Sequence, residues 1–176
     1  MRIIAGKLKG RIFHDPPGHQ SHPMSDKIRG ALFNMLGDIE GLTVLDAFGG
    51  SGALALESIS RGAKSAVTIE QKRAAYSAIT RSIKELGITK HVKAVNADAA
   101  SWSGHNRSAK FDIVLLDPPF GLPQFNLLDK LVMHAKPGAV VVVSWPGHEL
   151  PPVFDVCKII TDKKYGDAQL VFYRKT

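Results

Sequence analysis

The sequence predicts an α/β fold built on a doubly wound, mostly parallel sheet, closed by an antiparallel strand pair and preceded by a β-hairpin and a helix. Three observations predict it. Apolar strand-like runs alternate with amphipathic helical runs after residue 41. One run, FDIVLLD, is apolar along its length, as in a strand covered on both faces. Glycines stand where helices should stop.

In residues 1–13, Arg2, Lys7, Lys9 and Arg11 interleave with Ile3, Ile4, Leu8, Ile12 and Phe13, broken by Gly6 and Gly10, which suggests a short hairpin with a basic face. HDPPGHQSHPM, residues 14–24, has the composition of an extended connector, so the hairpin reads as an appendix tethered to the main body. Ser25 is a good N-cap, and Ile28, Leu32, Met35 and Leu36 fall on one face of a helix that Gly37 ends.

The β-α alternation then begins with TVLDAF, a helix from about 52 to 61, and Gly62. SAVTIE is the second strand, and Ala75, Ile79, Ile83 and Leu86 mark the next helix, stopped by Gly87. HVKAVNAD is the third strand and FDIVLLD the fourth, leading through DPPF to a helix around 125–135. AVVVVSW is the fifth strand, with no convincing helix after it, and FDVCKIITDK with DAQLVFYRK forms the closing antiparallel pair, seven strands in all.

At 176 residues the chain suits one domain, 1–176, with 1–24 as its basic hairpin and connector. Its 44% hydrophobic and 22% charged residues exclude a disordered chain, and no apolar run is long enough to span a bilayer. The N-terminus shows no secretory pattern, so a cytoplasmic location is expected. Cys157, the sole cysteine, cannot form an intrachain disulfide and is expected to be a buried, inert thiol. A net charge of +7 favours a polyanionic partner.

The join between first strand and helix, LDAFGGSGALALE, places Asp46 and Phe48 at the strand end and Gly49, Gly50, Ser51 and Gly52 in the turn. Glycines there let the backbone bend tightly and approach a ligand. Gly50, Gly52 and Ala55 also satisfy the dinucleotide spacing G-x-G-x-x-A, so a nicotinamide oxidoreductase is one reading. Glu70, 18 residues after Gly52, can accept hydrogen bonds from ribose hydroxyls, which suits NAD and S-adenosylmethionine alike. Asp46 favours the second: a carboxylate beside the turn repels a pyrophosphate but can receive an ammonium, directly or through water. Asp98 can accept from an adenine amino group, or serve as a helix cap.

Asp117, Pro118, Pro119 and Phe120 follow the fourth strand, where an open α/β sheet binds ligands. Two prolines there sacrifice backbone donors and stiffen a loop with an acidic tip and an aromatic ring. DPPF, joined with LDAFGGSG, resembles the signature of S-adenosylmethionine-dependent amino-group N-methyltransferases, which implies a class I methyltransferase fold. The exocyclic amine of a base is a poor nucleophile, because its lone pair is delocalised. On this resemblance Asp117 accepts one amine N–H, the Pro118 carbonyl accepts the other, and Phe120 stacks on the base, so that positioning and electrostatics supply the acceleration. No metal is required.

Over essentially its full length the chain resembles the RsmD family of bacterial methyltransferases, through MRIIAGKLKGR, HPMSDKIRGALFNML, LDAFGGSGALALESISRGA, FDIVLLDPPF and KKYGDAQLVFYRK. The resemblance implies methylation of a guanine N2 amine in 16S ribosomal RNA, free or in a small-subunit assembly intermediate; a monomer is the default expectation. It also implies RNA contacts from Arg2, Lys7, Lys9, Arg11, Lys27 and Arg29. The sequence departs from the family pattern at His22, Met24 and Gly49, and in Ser144 and Trp145, where the family often has an acidic residue. The change of Gly49 from the family's usual alanine is expected to be tolerated. His14, His19 and His22 lack the ordered spacing of a metal site. The rival readings are amino-methylation of adenine or cytosine in DNA, a nicotinamide oxidoreductase, and a noncatalytic RNA-binding module.

Overall fold

The structure is a computed structural model of the chain and describes residues 1–18, 24–119 and 124–176. Helix α1 (Asp26–Leu36) is followed by β1 (Thr43–Asp46), α2 (Ala53–Ser60), β2 (Ser65–Ile69), α3 (Arg73–Glu85) and β3 (Val92–Val95). Then come α4 (Ala99–His105), β4 (Phe111–Leu116), α5 (Phe125–Val132), β5 (Ala135–Pro146), β6 (Cys157–Tyr165) and β7 (Ala168–Lys175).

The seven strands form one sheet in the order β3-β2-β1-β4-β5-β7-β6. The first five run parallel, and β7 pairs antiparallel with both β5 and β6. The expected class I methyltransferase sheet with its antiparallel closing pair is what forms. Insertion of β7 between β5 and β6 separates it from the dinucleotide-binding order 3-2-1-4-5-6.

The central strands are buried along nearly their whole length, and their side chains alternate between the two faces of the sheet, which divides the core. Val44, Leu56, Ile79, Ile113 and Phe172 pack on one face, and Leu45, Val114, Leu128, Val141 and Tyr173 on the other. Helix α1 starts where expected: Ser25 accepts the Ile28 N–H at 3.2 Å, and Gly37 ends the helix at φ 76°. Cys157 is buried, as expected.

Two readings change. Residues 1–13 fold back on themselves as expected, but through a single antiparallel bridge, Arg2 to Ile12, and its flanking backbone bonds, without longer paired strands. The arm does not hang from a connector: Ile3 and Phe13 enter the core, and the buried Glu57 of α2 accepts the Ile4 and Ala5 N–H groups at 2.9 and 3.0 Å. Gly6, at φ 83°, lies so close to the Ser60 carbonyl that a Cβ would collide with it. Helix α4, for which the sequence offers only Asp98 as a possible cap, contains two serines and a glycine, residues of low intrinsic helix preference. It is held by the Asp98 cap and by the burial of Trp102 against Phe111 and His134.

Candidate active site

Strand order reverses its winding between β1 and β4, where an open sheet leaves a crevice at its carboxyl edge. A cavity of about 740 Å³ lies there. The turn after β1, the end of β2, the start of α4 and the segment after β4 all contribute to its wall.

Gly49, Gly50 and Ser51 line the cavity, and Gly50 and Gly52 take left-handed φ values of 57° and 79°. Gly49 has another reason to be glycine: a Cβ there would stand 2.5 Å from Thr68 Oγ1 and 3.1 Å from the Ile69 carbonyl. Helix α2 opens at Gly52 with no side-chain cap among the described residues, and its first residues, Ala53 and Leu54, line the cavity, where its positive dipole end can act.

Glu70 ties the turn to β2. Its Oε2 accepts the Gly50 N–H at 2.8 Å and its Oε1 the Lys72 N–H at 2.7 Å, which leaves acceptor capacity on each oxygen of a side chain that lines the cavity. Asp98 also lines the cavity, while its Oδ1 accepts the Ser101 N–H at 2.8 Å and caps α4.

Asp46 is completely buried behind Ala47 and Phe48, which do line the cavity. Its Oδ2 accepts the Thr68 hydroxyl at 3.0 Å, and its Oδ1 has no partner among the described residues. Burial pushes its carboxyl up to about 7, Asp117 nearby adding to the rise and Thr68 opposing it.

Asp117, Pro118 and Pro119 stand on the cavity wall immediately beyond β4. Burial raises the Asp117 carboxyl, and a hydrogen bond with Ser144, near the end of β5, acts against that rise. Phe120 lies outside the described residues.

The predicted RNA contacts divide. Arg2, Lys7, Lys9, Arg11 and Lys27 are exposed. Arg29 is not: it is fully buried, its Nη2 donating to the Arg2 carbonyl at 2.8 Å and to Asp26 Oδ1 at 3.0 Å. A side chain enclosed in this way offers no surface to a polynucleotide, so Arg29 is removed from the RNA contacts. His14 bonds Glu85 at 2.7 Å, and His19 and His22 lie outside the described residues.

Sequence reasoning missed Thr68, which holds Asp46 and packs on Gly49, as well as Lys72 and Gln124 on the cavity wall. Thr68 gives no sequence signal beyond its place in a strand. Lys72 was legible as the second residue after Glu70.

The family described as Conserved hypothetical protein 95 matches residues 1–174. Ribosomal RNA small subunit methyltransferase D of Escherichia coli is 32% identical over 180 residues, 99% of this chain and 90% of that protein. The Bacillus subtilis protein YlbH is 30% identical over 182 residues, 99% of each chain. The solved Escherichia coli protein yhhF is 30% identical, with a TM-score of 0.88 over 99% of this chain and 97% of that one.

Proposed function

Because the chain belongs to the Conserved hypothetical protein 95 family, the RsmD methyltransferases, we propose that it methylates the N2 amine of a guanine in 16S ribosomal RNA. The chain is a methyltransferase of this family, its donor is S-adenosylmethionine and its substrate is ribosomal RNA. The observation that carries the finer reading is the presence of Asp117-Pro118-Pro119 on the wall of the cavity that the glycine turn opens.

The cavity residues fit the donor. Its volume suits an adenosyl amino acid. Asp46, buried behind the turn with Oδ1 unpartnered among the described residues, offers an acceptor toward the donor's ammonium. Phe48, Gly49, Gly50 and Ser51 line the wall and Gly52 turns the chain into α2, so the backbone can follow the ligand closely, Glu70 offers lone pairs to ribose hydroxyls, and Asp98 keeps Oδ2 for the adenine amine. Bound there, S-adenosylmethionine supplies an electrophilic methyl group together with its own leaving group.

The chain's work is then to prepare the amine. Asp117 accepts one N–H and the Pro118 carbonyl the other, so the nitrogen lone pair is drawn out of conjugation with the ring. Pro119 keeps the loop stiff and Phe120 stacks on the base. A raised Asp117 carboxyl is a better acceptor for the proton that the amine releases. No protein nucleophile is needed.

Arg2, Lys7, Lys9, Arg11 and Lys27 are the RNA contacts in this reading, each neutralising a phosphate. The partner is 16S RNA free or in a small-subunit assembly intermediate, the enzyme is a monomer, and it works in the cytoplasm.

The test is transfer of a labelled methyl group from S-adenosylmethionine to 16S RNA, free and in 30S particles, by wild type and Asp117→Ala, followed by nucleoside analysis. N2-methylguanosine from wild type alone is the expected result. No transfer to any form of that RNA, with transfer to DNA, would overturn the substrate assignment.

A further inference from the structure

Arg29 carries a charge whose purpose the fold alone does not explain. The side chain is about 1% exposed, yet it contributes to the wall of the active-site cavity beside Met24, Ala53 and Leu54. Its Nη2 is occupied by the Arg2 carbonyl and Asp26. Nη1 and Nε are buried and have no hydrogen-bond partner among the described residues. A buried guanidinium nitrogen without a partner is costly, and protein folds rarely tolerate one without a functional gain.

The acids beside it do not use this capacity. Glu57 Oε2 stands 3.7 Å from Nε, beyond hydrogen-bond distance. The Glu57 carboxylate is already taken up by the Ile4 and Ala5 N–H groups and by Arg61 Nε at 2.9 Å. Asp26 is half exposed and engages Nη2 alone. Next to Arg29, α2 presents an uncapped N-terminus to the same cavity. Two independent sources of positive potential, a helix end and an unfilled guanidinium donor, therefore meet at one wall.

We propose that Arg29 is the anion anchor of the methyl-donor site, its Nη1 donating to the carboxylate at the amino-acid end of the donor. This rests on the donor assignment made above and adds to it the group that recognises the donor's one negative charge. The burial of the side chain and its place on the cavity wall favour a small ligand over an RNA phosphate. Glu70 and Asp98 stand at the ends of β2 and β3, and Arg29 reaches in from α1 against α2, so adenosine and carboxylate engage different walls. A carboxylate there also provides the hydrogen-bond acceptor that Nη1 lacks among the described residues.

The test is calorimetric titration of the full chain with S-adenosylmethionine and with decarboxylated S-adenosylmethionine, which keeps the ammonium, sulfonium and adenosine. Wild type is expected to bind the decarboxylated compound roughly 10- to 100-fold more weakly, the size of one charge-assisted hydrogen bond. Arg29→Met, checked for folding by thermal unfolding, is expected to bind the two compounds alike. Arg29→Lys keeps a cation in the core and should show an intermediate ratio, and it decides the matter where the methionine variant does not fold. Equal binding by wild type, or an undiminished ratio in a folded variant, would overturn the anchor. Failure of wild type to bind either compound would overturn the donor assignment as well, so the two failures are distinct.

Discussion

Glu70 holds Gly50 by a hydrogen bond of 2.8 Å from the Gly50 N–H to its carboxylate. With the second bond from the Lys72 N–H at 2.7 Å, the side chain fixes the glycine turn before any ligand arrives. Glu70→Ala is expected to weaken S-adenosylmethionine binding about 10- to 100-fold, since two charge-assisted bonds that preorganise the turn are lost. Glu70→Gln, which still accepts one N–H, should fall between. Titration calorimetry on both variants, with circular dichroism to confirm the fold, reads the difference.

Asp117→Ala should leave donor affinity nearly unchanged and lower kcat by about 10²- to 10⁴-fold, because the acceptor acts on the amine. Asp117→Asn retains an acceptor oxygen and should recover part of the rate. Single-turnover methyl transfer separates this from a binding defect. Loss of donor affinity equal to the loss of rate would place Asp117 in the donor site.

Gly49 and Thr68 are packed too closely for a larger residue at 49. The added methyl of Gly49→Ala would meet Thr68 Oγ1 at 2.5 Å, the atom that holds Asp46. Alanine at this position is therefore not a neutral exchange in this chain, and it is expected to cost about 1–3 kcal/mol. Combining it with Thr68→Ala should return part of that cost. A double-mutant cycle by urea unfolding should show a coupling of about 1 kcal/mol, and strict additivity would remove the steric account.

Asp46 sets a pH dependence of definite sign. Burial lifts its carboxyl from 3.8 to about 7, so between these values the folded chain holds a proton that the unfolded chain releases. Its contribution to stability is full below the lower value and declines as pH rises through about 7. Asp112 works in the opposite sense: with Lys136 and Thr43 bonded to it, its carboxyl is lowered to about 2, so its contribution is lost in acid below 3.8. Asp46→Asn should flatten the decline between about pH 4 and 7 without altering the acid limb. Denaturant midpoints of the ligand-free protein across that range test this.

Much of the fold was legible because the signals were periodic or punctuating. FDIVLLD is buried along nearly its whole length, Ser25 and Gly37 bound α1, and the glycine turn and Asp117 meet at one cavity. The failures have a common physical origin. Arg29 was read by its charge, and charge does not disclose that α1 turns it inward against Glu57. The arm was read by its basic residues, while Ile3, Phe13 and Gly6 determine its place. Thr68 matters through a contact with Gly49 that no local pattern encodes. Long-range packing decided each case.

The place of β7 bears on how the chain is made. β7 follows β6 in the chain but lies between β5 and β6 in the sheet. During vectorial synthesis β6 therefore leaves the ribosome with no neighbour to join, and its mostly exposed side chains, Lys158, Lys163 and Lys164 among them, keep it soluble while it waits. Arrival of β7 joins both neighbours at once, pairing seven residues of β5 and eight of β6. The sheet is completed in a single late event, and a nascent chain stalled before residue 168 carries β5 as an open, apolar edge.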